Sequence, residues 1–147
     1  MVLRSKQMTA KEYLNQIRLL DLKIRQKIEE RDHLKAMAAG NSSPVLSKDK
    51  VQTSGSGDKM SRTVDSYVDL EKEIDDLVDR YVDKRDMIIN QIHQLNNPRY
   101  IRILYLRYVK CCTFEYIAVE MNYTIRGVYK LHGNALQAFQ KLILNHD

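Results

Sequence analysis

Tryptophan is absent from the 147-residue sequence, and only two phenylalanines, two prolines, two cysteines and five glycines occur. So little glycine and proline excludes a collagenous or low-complexity chain. The two cysteines are neighbours, Cys111 and Cys112, a spacing that gives neither a zinc site nor a disulfide framework. Reduced, incidental thiols in a cytoplasmic protein are the expectation. Long apolar runs are missing as well. The longest stretches without Asp, Glu, Lys or Arg are Ala36–Ser47 and Met87–Pro98, twelve residues each and both containing polar groups. A membrane span needs about 20 mostly apolar residues, so no membrane protein is expected. Met1–Lys11 lacks the apolar core of a secretory signal.

What is present is charge in blocks. The whole chain carries 24 Lys+Arg against 19 Asp+Glu, a net of +5. Residues 1–39 carry +4, 40–62 carry +2, 63–97 carry −5 and 98–147 carry +4. The acidic middle complements the basic beginning, and the basic end is the part suited to a polyanion.

Apolar periodicity places the elements. Thr9-Ala10-Lys11-Glu12 has the form of a capping box. Tyr13, Leu14, Ile17, Leu20, Ile24, Ile28, Leu34 and Met37 then follow at spacings mostly of three and four, one face of a long helix that Gly40-Asn41 can stop. Residues 40–62 are rich in Ser and Gly and read as a flexible connector. A second helix is expected from about Thr63 to Leu95. Tyr67, Ile74, Tyr81, Ile88 and Leu95 recur every seven residues, Leu70 and Leu77 fill the second seam, and Val78, Val82 and Ile92 widen the stripe. The expected fold is all-α: a long antiparallel helical hairpin with coiled-coil character over 1–97, then a separate domain over 98–147. The carboxylates Asp75, Asp76 and Asp79 read as a solvated helix face rather than a metal site.

Asn96-Asn97-Pro98 breaks the second helix. Three shorter patterns follow. Arg99–Val109 has an apolar stripe of Ile101, Leu104, Tyr105 and Tyr108. Thr113–Met121 opens on a capping threonine and buries Ile117, Ala118 and Met121. After the turn Asn122-Tyr123-Thr124, a third helix capped by Thr124 carries Val128, Leu131, Ala135, Phe139 and Leu142 inward. A two-turn helix, a three-residue turn and a longer helix form the helix-turn-helix pattern.

That pattern sets the candidate site. The outward residues near the start of the third helix are Arg126, Tyr129, Lys130 and Asn134, the expected base contacts in a major groove. Phosphate contacts need cations or donors near helix starts. Arg99, Arg102, Arg107, Lys110, Thr113, Tyr116, Thr124 and His132 are the candidates. Any one of them is equally an ordinary surface group; their joint placement makes the argument. Gly127 and Gly133 each cost about 1 kcal/mol in a helix interior relative to Ala. Gly127 admits either close approach to DNA or close packing in the first turn.

The stretches Arg102–Val109, Thr113–Met121 and Thr124–Leu136, with Leu-Arg-Tyr, Tyr-Ile-Ala and Val-Tyr-Lys-Leu-His in that order, resemble region 4 of sigma-70-type factors. With long helices ahead of this unit, the whole chain resembles the small phage-encoded regulators of the ArpU and RinA type. The resemblance implies activation of late phage genes, with double-stranded promoter DNA and host RNA polymerase as partners, in the bacterial cytoplasm. Arg126, Tyr129 and Lys130 fall where region 4 reads bases. Ile125 and Gly127 depart from the polar residues many relatives carry, and nothing corresponds to the sigma segment that binds the −10 element.

No enzyme is expected, because His33, His93, His132 and His146 are scattered and no nucleophile–base constellation can be placed. No cofactor or metal is implied. Two other readings compete with the regulator: a DNA-packaging adaptor of the small terminase kind, and a coiled-coil interaction protein that binds no DNA. Self-association, as a dimer first, is expected of the heptad helix.

Overall fold

The computed structural model describes residues 7–40 and 56–145, all of them in helices or short connections with no strand. The fold is all-α. The elements are α1 (Ala10–Leu14), α2 (Gln16–Ala38), α3 (Ser56–Ile92), α4 (Pro98–Leu104), α5 (Phe114–Met121) and α6 (Ile125–Phe139). Two π-helical segments, Tyr105–Val109 and Gln140–Leu144, extend α4 and α6.

Local chemistry sets most of the boundaries. The Thr9 hydroxyl accepts from the Glu12 backbone N–H at 3.2 Å, and the Glu12 carboxylate accepts from the Thr9 N–H at 3.0 Å. This is the expected capping box. Asn15 is the only break between α1 and α2. Gly40 follows α2 at φ +76, a left-handed conformation that costs glycine nothing. The connector is shorter than its composition predicts. Helix α3 begins at Ser56, not Thr63. Asp58 suits its first turn, and Thr63 Oγ1 donates to the Lys59 carbonyl at 2.8 Å inside the continuing ladder. Residues 41–55, with Lys50–Thr53, lie outside the described residues.

Contacts divide the chain into two compact units, and neither boundary falls at Pro98. One unit is residues 22–80. Within it α2 and α3 run antiparallel: Lys27 Nζ lies 2.7 Å from Glu73, and Arg31 lies 3.5 Å from Glu71, so rising numbers on one helix meet falling numbers on the other. Ile24, Leu70 and Ile74 are buried. These ion pairs are partly exposed and each contributes about 0–1 kcal/mol, so they set register more than stability. Val78, expected to widen the seam, is exposed, as is Val82 outside this unit. The buried seam is therefore narrower than the sequence pattern.

The other unit joins residues 7–21 to 81–145 and holds the main core. Leu14, Ile17, Ile88, Ile92, Ile103, Leu104, Ile117, Val128, Ala135 and Phe139 are fully buried in one cluster. The physical reason for the long-range union is the inner face of α6. Phe139 and its neighbours need more cover than α4 and α5 supply, and the beginning of the chain supplies it. The Tyr13 and Phe139 rings stand 5.9 Å apart. The Ala10 N–H donates to Gln140 Oε1 at 2.7 Å, and Tyr13 Oη donates to Gln91 Oε1 at 2.7 Å.

Asn97 caps α4, its side chain accepting from the Arg99 N–H at 3.0 Å, with Pro98 in the first turn. The expected helix Arg99–Val109 is α4 and the first π segment. There the Lys110 N–H donates to the Tyr105 carbonyl at 3.0 Å, one residue beyond α-helical reach. The widened turn leads into Cys111 at φ 57, an uncommon conformation for a side-chain-bearing residue.

Candidate nucleic-acid interface

The candidate site is the α5–turn–α6 segment. The Thr113 hydroxyl accepts from the Tyr116 N–H at 3.2 Å and starts α5. Ile117 and Ala118 are buried, and Met121 is half-buried. Asn122 then takes φ 59, ψ 47. Asn tolerates the left-handed region because its short polar side chain compensates locally. The Tyr123 N–H returns to the Ala118 carbonyl at 2.8 Å. The Thr124 hydroxyl accepts from the Gly127 N–H at 3.0 Å and starts α6. A Cβ on Gly127 would stand 3.1 Å from Thr124 Oγ1 and 3.3 Å from the Tyr123 ring. Gly127 thus serves close packing of the first turn.

Helix α6 turns Val128, His132, Ala135 and Phe139 inward. The expected base-contact residues Arg126, Tyr129, Lys130 and Asn134 are all exposed. The Tyr129 ring is held edge-on by Phe114, centroids 5.1 Å apart, and stays 52% exposed. Neither Arg126 nor Lys130 pairs with a carboxylate among the described residues. Their charge is therefore uncompensated at contact distance.

No family model, curated protein or solved structure matches the chain.

The expected phosphate contacts divide into two groups. Arg99, Lys110 and Tyr116 are exposed. Thr113 and Thr124 are exposed at the starts of α5 and α6; each oxygen accepts a capping N–H, and its hydroxyl proton remains to donate outward. Arg102 is exposed but lies 3.2 Å from Glu120, tying α4 to α5. Arg107 belongs to the fold. Its Nη1 donates to the Cys112 carbonyl at 2.9 Å, and its guanidinium lies 4.1 Å from the Phe114 ring centroid. Burial and the neighbouring Arg18 hold its pKa below the ordinary arginine value.

His132 is corrected outright. It is 8% exposed, so it cannot reach a phosphate, and it takes the inward position expected of half-buried Leu131. Its Nε2 and the Tyr108 hydroxyl are joined at 2.7 Å, and Phe114 meets its ring edge-on at 4.9 Å. Burial, with Arg107 and Lys11 nearby, pushes the imidazole down to about 4. The Tyr108 hydroxyl is pushed up to about 12, again by burial. The sequence signal was the series 128, 132, 135, 139, which the polar side chain at 132 disguises.

This pair makes stability depend on pH. Unfolded histidine titrates near 6.5, so between about 6.5 and 4 the unfolded chain holds the extra proton. The stability contributed by neutral His132 is full above pH 6.5 and is lost as pH falls through that window, by about 3 kcal/mol. Thermal melts from pH 7 to 4 should show the decline. His132→Gln, which keeps a polar partner for Tyr108, should flatten it.

Among the described residues no three His, Cys, Asp or Glu side chains converge to hold a metal ion. No described helix is long and apolar enough to cross a membrane.

Proposed function

We propose that this protein is a sequence-specific double-stranded DNA-binding regulator of transcription. The carrying observation is one arrangement: a left-handed Asn122 turn between two threonine-capped helices, the second presenting Arg126 and Lys130 outward without carboxylate partners among the described residues. A helix of this length with donors near its N-terminus suits a major groove, which admits an α-helix. Exposed Arg99 and Lys110 and the capping threonines supply contacts for the flanking phosphates.

The resemblance to sigma region 4 and to ArpU- and RinA-type regulators extends the proposal to a phage or prophage activator of late genes that engages host RNA polymerase. The proposal includes self-association, a dimer placing two recognition helices on two half-sites. The bacterial cytoplasm is the compartment such a role requires.

The test is selection of binding sites from a pool of random duplexes by the full-length protein, followed by titration of the selected site against salt. A site bound at least 10³-fold more tightly than bulk DNA is expected, with log affinity falling by about 0.9 per phosphate contacted for each tenfold rise in salt. No enrichment of any duplex, even at low salt, overturns the proposal. A closed ring of many subunits favouring packaging-site DNA would replace it with the adaptor reading.

A further inference from the structure

The exposed face of α6 carries two neighbouring rows at spacings of four residues. Arg126, Lys130 and Asn134 form a donor-bearing row. Ile125, Tyr129 and Gly133 form an uncharged row beside it. The second row is unlike the rest of that face. Ile125 is the first helical residue after the Thr124 cap, yet it stays 41% exposed while Val128, three residues on, is fully buried. Tyr129 is braced against Phe114 with half its surface open. A Cβ on Gly133 would meet nothing within 4 Å, so no internal packing demands glycine there.

Resting on the DNA-binding reading, we infer that the Ile125–Tyr129 row reads thymine methyl groups in the major groove, while the adjoining Arg126–Lys130 row donates to purine edges or phosphates.

The argument is one of chemical complement. Along the major-groove edges of the four base pairs, nitrogen and oxygen donors and acceptors dominate, and the thymine C5-methyl is the one apolar group. An apolar side chain entering that groove beside a row of cations therefore has one good neighbour there. Against an acceptor or an amino group, Ile125 would strip water from a polar atom and return no hydrogen bond. Against a methyl group, both partners leave water. The cations argue for DNA as the occupant over a protein surface. Arg126 and Lys130 border the apolar row and lack carboxylate partners among the described residues, and residues 98–147 carry +4. The missing side chain at Gly133 continues the row as a gap, through which the helix backbone can lie close to the groove wall.

The experiment changes the DNA before it changes the protein. In the duplex selected by the full-length protein, each thymine is replaced singly by deoxyuridine, which removes only the methyl group. At the thymine facing Ile125 the affinity should fall about fourfold, the worth of one buried methyl at about 0.8 kcal/mol. Ile125→Ala should bind the thymine and uracil versions equally, with an unchanged melting temperature showing that it is folded. If the wild type binds every uracil version as tightly as the parent site, the methyl assignment is overturned while DNA binding stands. If Ile125→Ala still distinguishes thymine from uracil at that position, Ile125 is not the reader. If no duplex is selected at all, the DNA-binding reading itself has failed.

Discussion

Residues 98–147 produced alone should be unfolded, although they contain the entire helix-turn-helix. The fragment lacks Leu14, Ile17, Ile88, Ile92 and Leu95, all buried against α4–α6 in the intact unit. Burying a large aliphatic side chain is worth about 1.5–3 kcal/mol, so the five together contribute about 8–15 kcal/mol as an upper estimate. That equals the whole net stability of an ordinary domain, about 5–15 kcal/mol. The fragment should give a random-coil far-ultraviolet circular dichroism spectrum and no cooperative melt. Its counterpart, residues 1–21 joined to 81–147 by a short Gly/Ser loop, should retain both helix and melt. Both segments belong to one compact unit, which the loop keeps together. A folded 98–147 fragment would mean that the core is divided differently.

Arg126→Ala with Lys130→Ala should weaken binding to the selected duplex by at least about thirtyfold at moderate salt. Each specific contact to a base edge is worth about 1–3 kcal/mol, and two lost contacts at the lower end of that range come to about 2 kcal/mol. Both side chains are exposed, so the melting temperature should stay within a few degrees of the parent. Fluorescence anisotropy on the selected and a scrambled duplex separates the roles. Loss of preference, with residual salt-sensitive binding to both, identifies base readers. A uniform loss on both duplexes identifies phosphate contacts instead. Undiminished preference in the double variant would place the recognition surface elsewhere.

The parts of this molecule that could be read from sequence are those decided within a few residues. Thr9, Thr113 and Thr124 cap helices, and Asn122 takes the left-handed turn, because each choice depends on a side chain and the backbone groups beside it. The exposure of Arg126, Tyr129, Lys130 and Asn134 followed from the period of the apolar residues around them. What escaped the reading depends on distant partners. His132 looked like a donor for DNA because its type is polar, and only the Tyr108 hydroxyl and the Phe114 ring explain why it lies inside. Arg107 looked like a free cation until the Cys112 carbonyl appeared beside it. Val78 and Val82 matched the heptad pattern but are exposed. The boundary at Pro98 marks a real helix break, yet the core passes across it, since a proline interrupts a backbone and not a packed surface.

The meeting of Tyr13 with Phe139 and of Ala10 with Gln140 has a consequence for the newborn chain. These partners are separated by well over a hundred positions, so the first helix leaves the ribosome long before the residues that cover it have been translated. Leu14 and Ile17 must wait in water, or in the care of a chaperone, until α6 has been translated. The α5–turn–α6 surface therefore matures only after Phe139 has been added, and a product terminated before that residue would never acquire it.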